Sequence, residues 1–218
     1  MTAITTILHP NCERGLSQLS DHIMHTKITH YLDELKRISD LISVDSINTI
    51  INEIVDLKTR NGRIFFIGVG GSAANASHAV NDFRKLLNIE SYAISDNVSE
   101  LTARINDESW DTCYSQWLKV SKLSQNDAIF ILSVGGGSLK TSHNIYQAIE
   151  YAKQIKATIL SIVSRDGGHA KANSNACVLI PTVNQNRITP HAEEWQGIIW
   201  HLIVTCILES VHENPIIR

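Results

Sequence analysis

From Arg63 onward, short apolar runs alternate with helical patterns, and this alternation constrains the fold more than any other feature of the chain. The apolar runs are short and bounded by turn or polar residues: Ile64–Val69, Tyr92–Ile94, Ala128–Leu132, Thr158–Val163 and Ala176–Ile180. The helical patterns are Ala73–Leu87, Ser109–Leu123, Leu139–Ile155, His169–Ser174 and the apolar-rich His191–His212. Strands that alternate with helices imply crossover units and a parallel sheet covered on both faces. We therefore predict an α/β fold with about five parallel strands.

The preceding segment, residues 12–60, has a different residue pattern, which predicts helices and no strands. It lacks glycine between Leu16 and Arg60, and isoleucine and leucine recur at helical spacing. We expect two helices joined near Leu41–Val44, with Asp45 or Ser46 as a candidate cap of the second.

Composition excludes several classes of function. The net charge is −3 and basic residues occur at most in adjacent pairs, whereas a nucleic-acid binder needs a basic face. No apolar run reaches the roughly 18 residues of a membrane span, and the N-terminus does not read as a secretory signal. The four cysteines form no CxxC pair, which favours unpaired thiols. We expect a cytoplasmic protein without a membrane or nucleic-acid partner.

The first glycine turn, Gly68–Ser72, follows an apolar strand and opens a helix. Glycine lets a ligand approach the backbone closely, and a helix N-terminus favours an anion. Gly70 and Gly71 would present backbone N–H groups, and Ser72 would add a hydroxyl donor. The segment is neither a Walker loop nor a GxGxxG motif. The alternative is a tight turn that binds no ligand.

A second turn, Ser133–Ser138, has the same placement after a strand. Two such turns at the carboxyl ends of neighbouring strands define the crevice in which open α/β sheets bind ligands. The backbone of Gly135 and Gly136 and the hydroxyls of Ser133 and Ser138 would then join Ser72 around one phosphate group.

The stretch GGSAANASHAVNDFRK, the Ser133–Ser138 turn, the segment Arg165–Gly168 and the terminal TPHAEEWQGIIWHL resemble the phosphoheptose isomerase branch of the sugar isomerase (SIS) family. The resemblance covers roughly residues 40–210. It implies a flavodoxin-like sheet in a SIS domain at 61–218, a helical extension at 1–60, and a homotetramer with active sites between subunits. It also implies interconversion of sedoheptulose 7-phosphate and D-glycero-D-manno-heptose 7-phosphate, on the route to lipopolysaccharide or capsule heptose.

The resemblance also implies roles for individual residues. The general base, usually Glu, falls on Asp82, and the acid falls on His201. Zinc ligands of the family fall on His78, Asp82, Glu193 and His201, so that zinc is an expected cofactor. The chain departs from the family at Val69, where asparagine is common, and at Val134 and Gly135, where threonine and serine are common. Side-chain donors to the sugar and phosphate are lost at these positions.

The spacing of the four metal-competent residues agrees only partly with one site. His78 and Asp82 are four apart and share one face of a helix. Glu193 and His201 are eight apart, which is a rise of about 12 Å. One ion could reach both only if the helix begins after Glu193 or if another subunit supplies one ligand. Pro190 is a candidate start of the helix, which would leave Glu193 in its first turn. The alternative is that none of these residues binds a metal. His78 would then be a hydrogen-bonded polar residue, and Glu193 an acidic residue that the helix dipole stabilises in the first turn.

Two further questions stay open at this stage. Asp96 and Asn97 follow the second strand and either line the pocket or cap a helix. The SIS fold also serves as a sugar-phosphate sensor, and a related branch with a similar SAANAxHF-type stretch binds the bacterial replication initiator. The presence of both Asp82 and His201 favours catalysis, because a scaffold needs neither.

Overall fold

The computed structural model describes residues 21–213, and its contacts divide the chain into two units after Asp40. The first unit contributes most of one helix, α1 (Asp21–Leu41), on which Met24, Ile28 and Leu32 recur every four residues and are exposed. All other elements belong to the second unit. Within residues 21–213, no helix is both long and apolar enough to cross a membrane.

The second unit is built on a parallel sheet of five strands, which confirms the predicted fold class. The strands are β1 (Ile64–Ile67), β2 (Ser91–Ala93), β3 (Ala128–Ser133), β4 (Thr158–Val163) and β5 (Ala176–Leu179). Their order across the sheet is β2-β1-β3-β4-β5, which is the flavodoxin-like order. Every neighbouring pair is parallel, so the carboxyl ends of all five strands lie at one edge.

Seven α-helices join α1 among the described residues, and six of them follow predicted patterns. They are α2 (Val44–Thr59), α3 (Gly71–Lys85), α4 (Val98–Asp107), α5 (Cys113–Val120), α6 (His143–Ile155), α7 (Gly168–Asn173) and α8 (Ile188–Glu213). The N-cap of α2 is Ser43 rather than Asp45 or Ser46, because the Ser43 hydroxyl accepts the Ser46 N–H. Helix α4 was not predicted, although Leu101 and Ile105 are spaced as on one helix face and pack against the core; none of its residues is fully buried.

Alternate side chains of the strands enter two separate layers of core. On one face, Phe65 and Ile129 pack with Trp117 of α5 and with residues of α6 and α7. On the other face, the rings of Phe66 and Phe130 contact Phe83 of α3. Both layers are buried, which explains why the central strands β1 and β3 are almost entirely apolar rather than alternating.

An ion pair between the buried Asp127 and the half-buried Arg63 closes the amino-terminal edge of the sheet. The Asp127 carboxylate accepts hydrogen bonds from the Arg63 guanidinium at 2.8 Å, from the Arg63 backbone N–H at 2.9 Å and from the Ser124 N–H at 2.9 Å. Burial raises the pKa of Asp127, but these hydrogen bonds outweigh it and leave the pKa below its ordinary value.

We expect Asp127→Asn to lower the free energy of unfolding by about 2 kcal/mol at pH 7, because it removes hydrogen bonds to a charged acceptor. A lowered folded-state pKa stabilises the fold above the unfolded pKa, and this contribution is lost as the pH falls through the folded pKa. The difference from the wild type should therefore shrink below pH 3.8, the ordinary value. Urea denaturation at pH 7 and below pH 3.8 measures the loss of stability and its dependence on pH. The exposed Asp56→Asn is the control. A difference that does not change with pH would contradict this account.

Candidate active site

The carboxyl ends of β1, β3 and β4, with the segment after β5 and the start of α8, surround a cavity of about 890 Å³. Ser72, Ser133, Gly135 and Ser138 line it, so the two glycine turns do face one space. This is the edge at which open α/β sheets bind ligands. The cavity is accordingly the candidate substrate site.

The first turn leaves the N-terminus of α3 free of any side-chain cap. Gly70 is the N-cap residue with a φ of 64°, and no side chain bonds to the first N–H groups of the helix. These N–H groups are candidate donors to a ligand, although the Glu193 carboxylate lies beside Gly71. Ser72 is buried, lines the cavity and makes no hydrogen bond to another described residue. Its hydroxyl is therefore available as a donor.

The two serines of the second turn have different surroundings. The Ser133 hydroxyl oxygen accepts the Gly136 N–H at 3.0 Å, which leaves the hydroxyl proton for a ligand. The Ser138 oxygen accepts the N–H groups of Lys140 and Thr141 at 3.2 and 3.0 Å, and its proton faces the Thr141 carbonyl at 3.3 Å. This turn explains why α6 begins at His143 rather than at the predicted Leu139.

The second turn is interlocked with the loop after β4. The N–H groups of His169 and Ala170 donate to the carbonyls of Gly137 and Gly136 at 3.0 and 2.9 Å. A Cβ at Gly136 would lie 2.0 Å from the Gly167 carbonyl oxygen, and Gly136 has a φ of +70°. Glycine at Gly136 is thus required both by space and by backbone conformation.

A second group of polar side chains lies on α3 and α8. One ligand atom from each of His78, Asp82 and His201 falls within 4.8 Å of the others. The His201 Nδ1–H donates to the Gly197 carbonyl at 2.7 Å, so the Nε2 lone pair faces the Asp82 carboxylate, 3.9 Å away. A backbone hydrogen bond to one ring nitrogen is the usual arrangement for a histidine whose other nitrogen binds a metal or moves a proton.

The two groups are separated within one chain. Asp82 follows Ser72 by ten residues on α3, a rise of about 15 Å. Helix α8 begins at Ile188, not at Pro190, so Glu193 lies in its second turn. The Glu193 carboxylate packs on the N-terminus of α3, where a Cβ at Gly71 would be 2.4 Å from Oε2. The structure therefore does not bring Glu193 together with His78, Asp82 and His201.

Asp96 and Asn97 lie away from the cavity that holds Ser72. Both line a separate cavity of about 530 Å³ beside β2 and α5. The Asn97 side chain accepts the Glu100 N–H at 3.2 Å and caps α4. The sequence left open whether Asn97 lines the substrate pocket or caps a helix, and in the structure it caps α4.

Sequence reasoning assigned no role to several residues of the cavity wall. Arg165 and Asp166 follow β4, while Thr182, Gln185 and Thr189 follow β5. The Thr182 hydroxyl is buried and has no hydrogen-bond partner in the described structure, which leaves it for a ligand or water. Their position after predicted strands was the signal that could have identified them.

Comparison with known proteins identifies the family and supports the fold. The sequence profile of the SIS domain matches residues 30–164, more than half of the chain. The chain belongs to the SIS domain family. A phosphoheptose isomerase of Helicobacter pylori (strain ATCC 700392 / 26695) is 24% identical over 176 residues, which cover 78% of this chain and 87% of the relative.

Solved structures share the fold. A phosphoheptose isomerase from Neisseria gonorrhoeae superposes with a TM-score of 0.75 at 22% identity, over 86% of this chain and all of the other. The Vibrio vulnificus NanR protein, complexed with ManNAc-6P, gives a TM-score of 0.62 at 16% identity, over 93% of this chain and 69% of that one. At these identities the likeness shows the fold alone.

We expect Gly136→Ala to destabilise the protein by more than about 2 kcal/mol, because the new Cβ would clash with backbone and would need a positive φ. Gly135→Ala is the matched control, since a Cβ there meets nothing within 4 Å. Chemical denaturation of the two variants measures the difference. Equal stability of both variants would mean that the interlock between the two loops is not rigid.

Proposed function

We propose that the protein is a sugar-phosphate aldose–ketose isomerase that interconverts sedoheptulose 7-phosphate and D-glycero-D-manno-heptose 7-phosphate. The observation that carries the proposal is the pair of glycine turns around one cavity, with the hydroxyl protons of Ser72 and Ser133 available to a ligand. The His78–Asp82–His201 group supplies the proton-transfer chemistry. The family of the chain and the phosphoheptose isomerases among its relatives support the same reaction.

In the proposed reaction the phosphate group binds at the N-terminus of α3 and at the second turn, with Ser72 and Ser133 as hydroxyl donors. Asp82 removes a proton from the carbon beside the carbonyl and returns it to the neighbouring carbon. His201 transfers a proton between the two oxygens, so that the ketose and the aldose interconvert through an enediol. A carboxylate and an imidazole are suitable groups for these transfers.

The distance between the phosphate turns and Asp82 supports an active site shared between copies of the chain. About 15 Å of α3 separates them, and Ile198 and Leu202, which are exposed on α8, flank His201. The exposed apolar stripe of α1 offers a further contact surface. We therefore include in the proposal a homotetramer in which one copy supplies the phosphate turns and another supplies Asp82 and His201.

The donor set fits zinc. Two imidazoles and a carboxylate are typical zinc ligands, and Gly197 fixes the ring of His201 with Nε2 toward Asp82. His78, Asp82 and His201 would hold the ion, and Glu193 of a second copy would be the fourth ligand. Zinc bound there would polarise the carbonyl oxygen of the substrate. Equilibrium dialysis against zinc, with His201→Ala for comparison, tests this part of the proposal.

The proposal includes a cytoplasmic location. The described cysteines, Cys113, Cys177 and Cys206, are free thiols. Reducing compartments keep thiols unpaired. Fractionation of the source cells, with the protein detected by antibody, tests the location.

One observation favours a second candidate, a protein that binds phosphosugars without converting them. The structural relative NanR is complexed with a phosphosugar, ManNAc-6P. Val69 and Val134, which line the cavity, lack the hydroxyl or amide groups that would contact a sugar. Binding of a sugar phosphate without turnover would favour this candidate over the isomerase.

We expect Asp82→Asn to lower kcat on sedoheptulose 7-phosphate by about 10²-fold or more, because the base is lost while the phosphate turns are intact. Nuclear magnetic resonance in D2O measures conversion and the exchange of the transferred proton together. The exposed Asp56→Asn on α2 is the control and should retain wild-type kinetics. Full activity of Asp82→Asn would refute the proposed mechanism.

A mixing experiment tests the shared site. Ser72→Asp should abolish phosphate binding by charge repulsion, and Asp82→Asn should abolish proton transfer, so each variant alone is inactive. If each site combines two chains, coexpression of both variants should restore activity at about a quarter of the sites by random assortment. No restoration in a mixed tetramer would place both groups of residues in one chain.

A further inference from the structure

We propose that Arg165 binds the phosphate group in this cavity and supplies the full positive charge that the serine and glycine turns lack. The inference rests on the proposed function for the identity of the ligand as a sugar phosphate. It extends that function with a residue to which no role has been assigned above. Arg165 lies in the segment Arg165–Gly168, which directly follows β4.

The position of Arg165 is fixed by contacts with the second glycine turn. The Ser164 N–H donates to the Val134 carbonyl at 3.1 Å, immediately before Arg165. Two residues after it, the Gly167 carbonyl oxygen lies where a Cβ of Gly136 would be. The loop that carries Arg165 is therefore packed against the turn that carries Ser133, and both line the cavity.

Arg165 carries the only positively charged side chain among the described residues that line the cavity. Among the described residues that line the cavity, only Arg165 and Asp166 have charged side chains. The Asp166 carboxylate already accepts the Gly168 N–H at 3.1 Å. A phosphate monoester carries nearly two negative charges at neutral pH. Arginine binds such oxygens through a rigid fork of donors, and these charge-assisted bonds are stronger than those from a hydroxyl.

The guanidinium of Arg165 is available for a ligand. It makes no hydrogen bond or ion pair with another described residue, and the side chain is exposed. Two other arginines behave differently, because Arg63 is paired with Asp127 and Arg104 with Glu100. An arginine that is unpartnered while it lines a cavity is in position to meet an anion.

The backbone of Arg165 is in the left-handed region, with a φ of 56°. A residue with a Cβ is disfavoured there, and glycine is not. Arg165→Gly therefore removes the guanidinium without straining the loop, and Arg165→Gln removes the charge while it keeps a polar side chain. The two variants together separate the charge from the shape of the loop.

Inorganic phosphate is the probe, and calorimetric titration of the full chain measures its Kd. We expect Arg165→Gln and Arg165→Gly each to raise the Kd by about tenfold or more, as for loss of a charged hydrogen-bonding partner. Lys156→Gln is the matched control, because Lys156 is also exposed with a left-handed φ of 61° but lies at the C-terminus of α6. It should leave the Kd unchanged. An unchanged Kd in both Arg165 variants would overturn the inference.

Kinetics separate this inference from the proposed function. If the chain is an isomerase, Arg165→Gln should raise KM for the sugar phosphate about tenfold and leave kcat nearly unchanged, because Arg165 touches no reacting carbon. An active enzyme whose KM is insensitive to Arg165 refutes the inference and leaves the isomerase intact. Arg165-dependent phosphate binding in a chain without isomerase activity supports the inference while the proposed function fails.

Discussion

The parallel pairing of β1, β3 and β4 is the constraint on which the rest of the structure depends. It sends three chain segments, each leaving a strand, to the same edge of the sheet. At that edge the segments need short turns, and glycine permits them to pack on one another with backbone contacts alone. The result is a cavity in which glycine backbone and the hydroxyls of Ser72, Ser133 and Thr182 lie beside apolar Val69 and Val134, and these polar groups suit an oxyanion with several acceptor oxygens.

Helix α3 carries two kinds of chemistry at opposite ends. Its N-terminus, where no side chain caps the first N–H groups, is the proposed phosphate site, and its second half carries His78 and Asp82 beside His201. A straight helix cannot bring its own ends together. In the proposed isomerase, a reaction that uses both ends of α3 on one small substrate would combine copies of the chain, and assembly would then be a condition of catalysis.

The strands and the two glycine turns were predictable because burial on both faces leaves continuous apolar runs, and the turns interrupt them abruptly. The partnership of His78, Asp82 and His201 followed only from the family resemblance, since no spacing rule connects α3 with α8. Helix α4 was missed although Leu101 and Ile105 have helical spacing, because the helix is short and contributes only partly buried side chains to the core. The positions of Arg165 and Thr182 in the cavity wall were not predicted either. A single polar residue after a strand looks like any loop residue until the order of the strands in the sheet is known.

The hydrogen bond from His201 to the Gly197 carbonyl has a consequence for how the protein tolerates change. Its acceptor is a main-chain oxygen one turn earlier on the same helix, so no second side chain has to be retained for the imidazole to keep its tautomer. Substitutions at residue 197 that preserve the helix leave that oxygen in place. When α8 shifts as a rigid rod, ring and acceptor move together. The tautomer of His201 therefore does not depend on which side chains surround the ring.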